Sequence, residues 1–238
     1  MPEPEPIRIA GAEFDLDAAA ATALLAVTEP LARGRAQGRT GKLGRRGALT
    51  RQRLLTSART LFEQHGYGAV SVLQISEHAG LSQGTFYQYF TDRAHIMSTL
   101  VLGYVAALVS NAALAWSVDD GRAGIAALLD FYVRDYLGNA AFAGAWEEVC
   151  QIDPAFADAR RRLTHFLERG VEQQLRRGIE HGVLDPPGDA AATARALTAM
   201  ADRFCFLTYS FDQRGAAMDW RESARLLTDL WWQVLRSE

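Results

Sequence analysis

From Thr50 onward the sequence keeps to one period. Apolar residues recur three and four apart, and short Gly-, Asp- or Pro-bearing stretches interrupt them, with no alternating β-branched run between. Such a chain can bury its apolar side chains only by packing helix on helix, so an all-α fold is expected. With 238 residues, 49% of them apolar, it can form a small head and a larger body. Body helices are expected at 92–116, 121–138, 140–152, 154–182, 189–212 and 219–236, separated by "DDG", "GNA", "IDP", "HGVLDPPGD" and "QRGAAMD". Before Thr50, residues 1–13 read as an irregular acidic tail, 16–32 as one short helix, and the Gly/Arg-rich 33–47 as a flexible arm. The expected domains are 1–48 (tail and arm), 49–95 (head) and 96–238 (body).

The head is three short helices. Leu54, Leu55, Ala58, Leu61 and Phe62 line one face of the first, which "HGYG" stops. Ser71 opens the second with Gln74 three residues on, the capping-box spacing, and Val72, Ile75 and Ala79 form its inner face. The tight "AGLS" turn leads into the third, with Ser82 as N-cap and Leu81 and Phe86 spaced as a hydrophobic staple. Phe86 and Phe90 are one turn apart and point inward, so Gln83, Gly84, Thr85, Tyr87, Gln88 and Tyr89 are left for the outside. That is a helix-turn-helix with its last helix presented outward. The outward set suits a duplex groove: Gln pairs with adenine, a Thr methyl meets a thymine methyl, and Tyr hydroxyls reach phosphates.

Charge agrees. The net charge of −3 conceals an uneven distribution. Residues 1–29 carry six acids and one base, whereas 30–62 carry nine bases and no acid, among them Arg45, Arg46 and Arg51. A basic block beside an acidic body marks a polyanion-binding end. The arm "RGRAQGRTGKLGRRG" has the composition to follow a narrow minor groove.

Residues 50–101, through "LFEQHGY", "SVLQISEHAGLS", "GTFYQYF" and the "TDR" that opens the next helix, resemble the DNA-binding domain of the TetR (tetracycline-repressor) family. The resemblance implies a homodimeric, ligand-responsive transcriptional regulator, usually a repressor, bound to a double-stranded operator. It places Ser82, Gln83, Gly84, Thr85, Tyr87, Gln88 and Tyr89 on recognition-helix positions, Ser71 at a phosphate-contacting helix start, and Arg93 as a phosphate clamp. Gln83 stands where such proteins often carry Lys, and Leu73 where they sometimes carry Arg. The helix beginning at Asp92 would carry the effector signal to the head.

The body is rich in aromatics. Tyr104, Trp116, Phe131, Phe142, Trp146, Phe166 and Phe206, with Arg203 as the polar group, are the expected lining of an apolar effector site. Asp202 and Glu147 also lie in apolar stretches, able to orient a ligand or pair internally. "AMADRFCFLTYSFD" is weakly similar to the corresponding helix of lipid-metabolism regulators of that family, which points to an acyl-CoA or other long hydrophobic effector, with a drug-like aromatic compound as the rival. The last two helices are expected to make the homodimer, with Trp231, Trp232 and Leu235 as candidate anchors, although Trp231 and Trp232 point to different sides and one of the two is expected to pack within the chain.

Other function classes find less support. The histidines (65, 78, 95, 165, 181) are scattered, and H-E-x-x-H, G-x-S-x-G, P-loop and dinucleotide-glycine patterns are missing, so neither an enzyme nor a metal or other cofactor is expected. Cys150 and Cys205 lack ligand spacing and suit the cytoplasm. No run of 18 uncharged apolar residues occurs, so no membrane span is expected. A helical adaptor that binds proteins through 80–90 is the main alternative.

Overall fold

The computed structural model describes residues 7–9, 12–14, 18–32, 44–112, 117–211 and 218–236. A short antiparallel hairpin, β1 (Ile7–Ile9) and β2 (Ala12–Phe14), comes first, in register Ile7↔Phe14 and Ile9↔Ala12. The sequence led us to expect irregular chain here; three residues per strand are too few for periodicity to reveal. Helices make up the rest: α1 (Ala18–Ala32), α2 (Arg45–His65), α3 (Val72–His78), α4 (Gln83–Tyr89), α5 (Arg93–Ala112), α6 (Gly121–Cys150), α7 (Pro154–Glu180), α8 (Ala190–Cys205) and α9 (Trp220–Leu235). The all-α expectation holds for head and body. Most of the arm, 33–43, lies outside the described residues, as does Trp116.

Two boundaries differ from expectation. Helix α2 starts at Arg45 instead of near Thr50, so Arg45 and Arg46 sit on its first turn. No break occurs at "GNA": α6 runs for 30 residues through Gly138 and Asn139. There the Asn139 side-chain amide donates back to the Asp135 carbonyl, 2.8 Å away, within an unbroken helix. Helix α8 continues as a π-helix over Phe206–Phe211.

The chain forms two compact units, Met1–Ser110 with Gly144–Arg160, and Asn111–Ala143 with Arg161–Glu238. The units do not divide at residue 96: α5 lies in the first unit up to Ser110, and α6 and α7 are continuous helices with residues in both units. In the first unit, α5 supplies Ile96, Met97, Val101, Val105 and Val109, all buried. The window Arg93–Ser110 is long and apolar enough to cross a membrane, but 61% of it is buried inside the protein, as befits a core helix. The second unit's core joins α6 (Ile125, Leu129, Val133), α8 (Ala194, Leu197, Ala201) and α9 (Leu227, Trp231, Leu235).

Polar ties fix the register of these helices. Ser210 donates to the Ala140 carbonyl at 2.8 Å, Tyr132 to Asp202 at 3.1 Å, and Tyr209 to Ser223 at 2.6 Å. Asp202 thus pairs within the protein. Trp231 and Leu235, expected at the dimer interface, are fully buried in this single-chain core. The exposed stripe of α9 is Leu226, Leu230 and Val234, each 39–40% accessible. Bulk marked Trp231 and Leu235 as anchors, yet bulk favours the core of α9's own unit first.

An added Cβ at Gly138 meets nothing within 4 Å. Gly138→Ala should therefore raise stability by about 0.5–1 kcal/mol in urea unfolding, since glycine is a poor residue in a helix interior. A loss of stability would show that the chain does bend there.

Candidate nucleic-acid interface

The head is built on α2. Leu54, Leu55, Ala58, Leu61 and Phe62 are buried, as their spacing predicts. Helix α3 adds Ile75, and Ala79 follows at its end. Its capping box is complete: Ser71 Oγ accepts from the Gln74 amide at 3.2 Å, and Gln74 Oε1 accepts from the Ser71 amide at 2.8 Å. Gly80 then turns with φ +64°, a left-handed conformation that favours glycine, and the Leu81 amide returns to the Ser76 carbonyl. Arg53 reaches from α2 to the Ala79 carbonyl at 2.6 Å and ties the turn down.

Helix α4 has only seven residues and depends on its neighbours. Ser82 caps it, accepting from the Thr85 amide at 3.2 Å. Phe86 and Phe90 are completely buried, their rings 5.6 Å apart. Phe90 also meets the edge of His95 on α5 and lies under the Arg51 guanidinium of α2. The outward set is as expected: Gln83, Gly84, Tyr87 and Gln88 are exposed, Tyr87 at 57%, and Thr85 and Tyr89 are half-buried. An alanine Cβ at Gly84 would come no nearer than 3.7 Å to another atom, Ser82 Oγ, so the protein itself does not require glycine there.

The predicted cations divide. Arg45 and Arg46 are exposed on the first turn of α2, where no acid balances the helix dipole. Two arginines at that end are unfavourable unless an anion is nearby. Arg46 also lines an open cleft of about 720 Å³ with Thr50, Arg53, Thr56, His78 and Leu81. Arg51 is different: it packs on Phe90, and burial lowers its pKa from the ordinary guanidinium value. Arg93 is not the outward clamp we expected. Its Nη1 donates to the carbonyls of Tyr67 (3.0 Å), Gly68 (3.2 Å) and Val70 (2.7 Å), and its guanidinium lies 4.2 Å over the Tyr67 ring. The turn between α2 and α3 exposes carbonyls that sequence spacing does not reveal.

Two supporting residues went unrecognised in the sequence. Arg53 is one. Glu148 is the other; it accepts from the amides of Tyr67 (2.6 Å) and Gly68 (2.8 Å). The apolar surroundings singled out its neighbour Glu147 instead, although a carboxylate at 148 and a turn with free amides at "GYG" were both visible.

The expected effector lining falls into two groups. Tyr104 and Trp146 pack edge to face at 6.0 Å in the first unit. The Trp146 Nε1 donor is buried without a hydrogen-bond partner among the described residues, and Arg160 lies 5.4 Å over its ring. Phe131, Phe142, Phe166, Arg203 and Phe206 belong to the second unit. Phe142 is wholly buried, Phe131, Phe166 and Phe206 are half-buried, and Arg203 is exposed, stacked at 4.7 Å on Phe206. Arg203 is therefore a surface cation, not a group inside a cavity. Burial, with Asp202 nearby, pushes the Cys205 thiol up to about 12, so it carries no thiolate near neutrality.

Residues 54–99 match the model of the tetR family of bacterial regulatory proteins. Among curated proteins none matches the sequence significantly. Solved structures match over most of the chain. The TetR-family regulator PfmR of Thermus thermophilus is 26% identical, over 76% of this chain and 97% of that one, with TM-score 0.61. The fatty acid degradation regulator FadR of Bacillus halodurans is 16% identical, over 80% and 96%, with TM-score 0.61. A transcriptional regulator of Saccharomonospora viridis in complex with choline is 18% identical, over 80% and 100%, with TM-score 0.64.

Two outcomes follow. Gly80→Ala should cost about 1–2 kcal/mol in chemical unfolding, the penalty of a left-handed conformation with a Cβ. Iodoacetamide at about pH 8, below the raised thiol pKa, should leave Cys205 unmodified in the folded protein, as read by mass spectrometry.

Proposed function

We propose that this chain, a TetR-family regulator of transcription by its DNA-binding head and its helical fold, is a cytoplasmic homodimeric repressor released from its operator by a hydrophobic small molecule. The observation that carries DNA reading is α4: two buried phenylalanines hold a helix whose remaining side chains face outward and whose Gly84 answers no need within the protein. Gln83, Thr85, Tyr87 and Gln88 read base edges and sugar-phosphate. Ser71, Arg45 and Arg46 meet the backbone, joined by the arm at 33–43. Ser82 and Tyr89 act at the edges of that surface, and Arg51 and Arg93 support it from within.

The dimer forms through α8 and α9. The stripe Leu226, Leu230 and Val234 on α9 lies in line along the helix, and α8 offers exposed Ala192, Ala196 and Ala199, small enough for close helix approach. A second copy covers both, in a four-helix bundle. Two heads then need a spacing of about 34–36 Å to meet successive major grooves. An effector that binds better to another spacing releases the DNA by linkage. Tyr104 and Trp146 are candidate contacts for it, since a buried indole N–H without a partner favours a ligand that brings an acceptor. A fatty acyl chain with a polar head, as in acyl-CoA, has that character. Phe131, Phe142, Phe166 and Phe206 belong to the second unit and are proposed separately as apolar contacts within it; Arg203 would act only at the surface.

The test is a duplex selected by the full chain from a randomised pool, read by gel shift. Gln83→Ala and Tyr87→Ala should each weaken binding by about 1–3 kcal/mol. Gly84→Ala should leave the protein as stable or more so while weakening binding, which a purely structural glycine would not do. Arg46→Ala should lower the slope of log affinity against log salt by about one. A chain starting at Gly44, which retains Arg45 and Arg46, would remove the arm from the interface if it kept affinity and slope. Leu230→Glu should give monomers by ultracentrifugation; an unchanged dimer would rule out the α9 stripe. Release by acyl-CoA but not by triclosan or choline would support the effector class.

A further inference from the structure

The segment Gly66–Val70, which joins α2 to the capped start of α3, is held by two side chains from far along the sequence. The Arg93 guanidinium takes its carbonyls at Tyr67, Gly68 and Val70. The Glu148 carboxylate takes its amides at Tyr67 and Gly68, one oxygen to each. The segment is thus bound by a cation on one set of backbone groups and an anion on the other, from the first turn of α5 and the last turn of α6. The chain leaves space for this. A Cβ at Gly66 would lie 2.7 Å from Glu148 Oε2, and one at Gly68 would lie 2.6 Å from Oε1. Gly66 also holds φ +77°. Gly68 has no such positive φ, so the approach of the carboxylate is what excludes a side chain there.

Gly68 and Ala69 are exposed, and water can satisfy exposed amides. The bonds of Glu148 and Arg93 to Gly68 therefore do more than satisfy backbone groups, while those to the buried Tyr67 and Val70 also do that. They fix where Ser71 and α3 begin relative to α5 and the end of α6. Reading base edges demands placement within about 0.5 Å. We propose that Glu148 is a positioning residue of the DNA-reading head, acting with Arg93 through the Gly66–Val70 turn to hold α3 and α4 in reading orientation. This rests on the DNA-binding reading above. Glu148 touches no DNA: phosphate attraction by Arg45 and Arg46 is independent of it, and discrimination between sequences is not.

The experiment uses the full chain, its selected duplex and a scrambled duplex of equal length and composition. Glu148→Ala should lower affinity for the selected duplex at least about tenfold, leave affinity for the scrambled duplex unchanged, and speed hydrogen exchange at the Tyr67 and Gly68 amides. A residue that served stability alone would lower the melting temperature and leave the affinity ratio intact in the folded protein. Gly68→Ala should displace the carboxylate and give the same loss. The double variant should be no worse than Glu148→Ala, because the collision has gone with the carboxylate. Glu148→Gln, which keeps one acceptor oxygen, should fall between and guards against misfolding of the alanine variant. An unchanged affinity ratio in Glu148→Ala and Glu148→Gln, or losses in the double variant that simply multiply, would overturn the assignment while leaving the DNA-binding reading intact. Failure of the unaltered chain to select any duplex would overturn both.

Discussion

Everything in the head hangs on the burial of Phe86 and Phe90. A helix of seven residues cannot hold its own backbone hydrogen bonds against water, so α4 exists because two rings one turn apart are taken out of solvent. Full burial of each is worth about 1.5–3 kcal/mol. Phe90 does more than fill space: it meets His95 on α5 and Arg51 on α2, so one side chain ties α4 to both neighbours. With the inward face so occupied, the outward one is free of structural duty, and Gln83, Tyr87 and Gln88 can be chosen for a partner.

The same division runs through the polar side chains of the head. Ser71, Ser82, Arg53, Arg93 and Glu148 commit hydrogen bonds to backbone groups at helix ends and turns. The turns on either side of α3 both have such a support. The exposed residues of α4 and the first turn of α2 have no comparable task. Residue type does not separate the two groups, since arginines occur in both; what decides is whether a backbone group at a helix end or turn, a carbonyl for Arg53 and Arg93 or an amide for Ser71, Ser82 and Glu148, lies within reach.

That criterion also explains what could be read in advance. The stripe of α2, the capping box at Ser71, the cap at Ser82 and the inward pair on α4 are relations between near neighbours in the chain, and the helical period alone determines them. Glu148 and Tyr67 are 81 positions apart, and Arg93 and Tyr67 are 26 apart. No local period encodes those pairings, so a cation at the start of α5 resembled a phosphate clamp and Glu148 passed unnoticed. The break expected at Gly138 failed similarly: glycine's weak local preference yields to a helix packed along its length. On α9 the apolar positions were legible, but which side belonged to the protein's own core was not: Trp231 and Leu235 are buried in it, and Leu226, Leu230 and Val234 are the exposed apolar residues.

Local rules are broken at a few places in the first unit, and these are informative because the rest obeys them so closely. Two arginines stand at the positive end of α2, each costing roughly 0.3–1 kcal/mol against the helix dipole. Glycine sits in α4 where a Cβ has room. Tyr87 and Leu73 lie open to solvent. Trp146 buries a donor with no acceptor among the described residues. A sequence selected for stability alone would correct each with one substitution. Under the reading proposed above, a duplex would relieve the first three, by neutralising the arginines, approaching closely at the glycine and covering the exposed side chains. It would not relieve the fourth, since Trp146 is fully buried. The misfits thus fall into two kinds, three at the surface of the head and one inside the unit, in a chain whose other described elements follow the local rules.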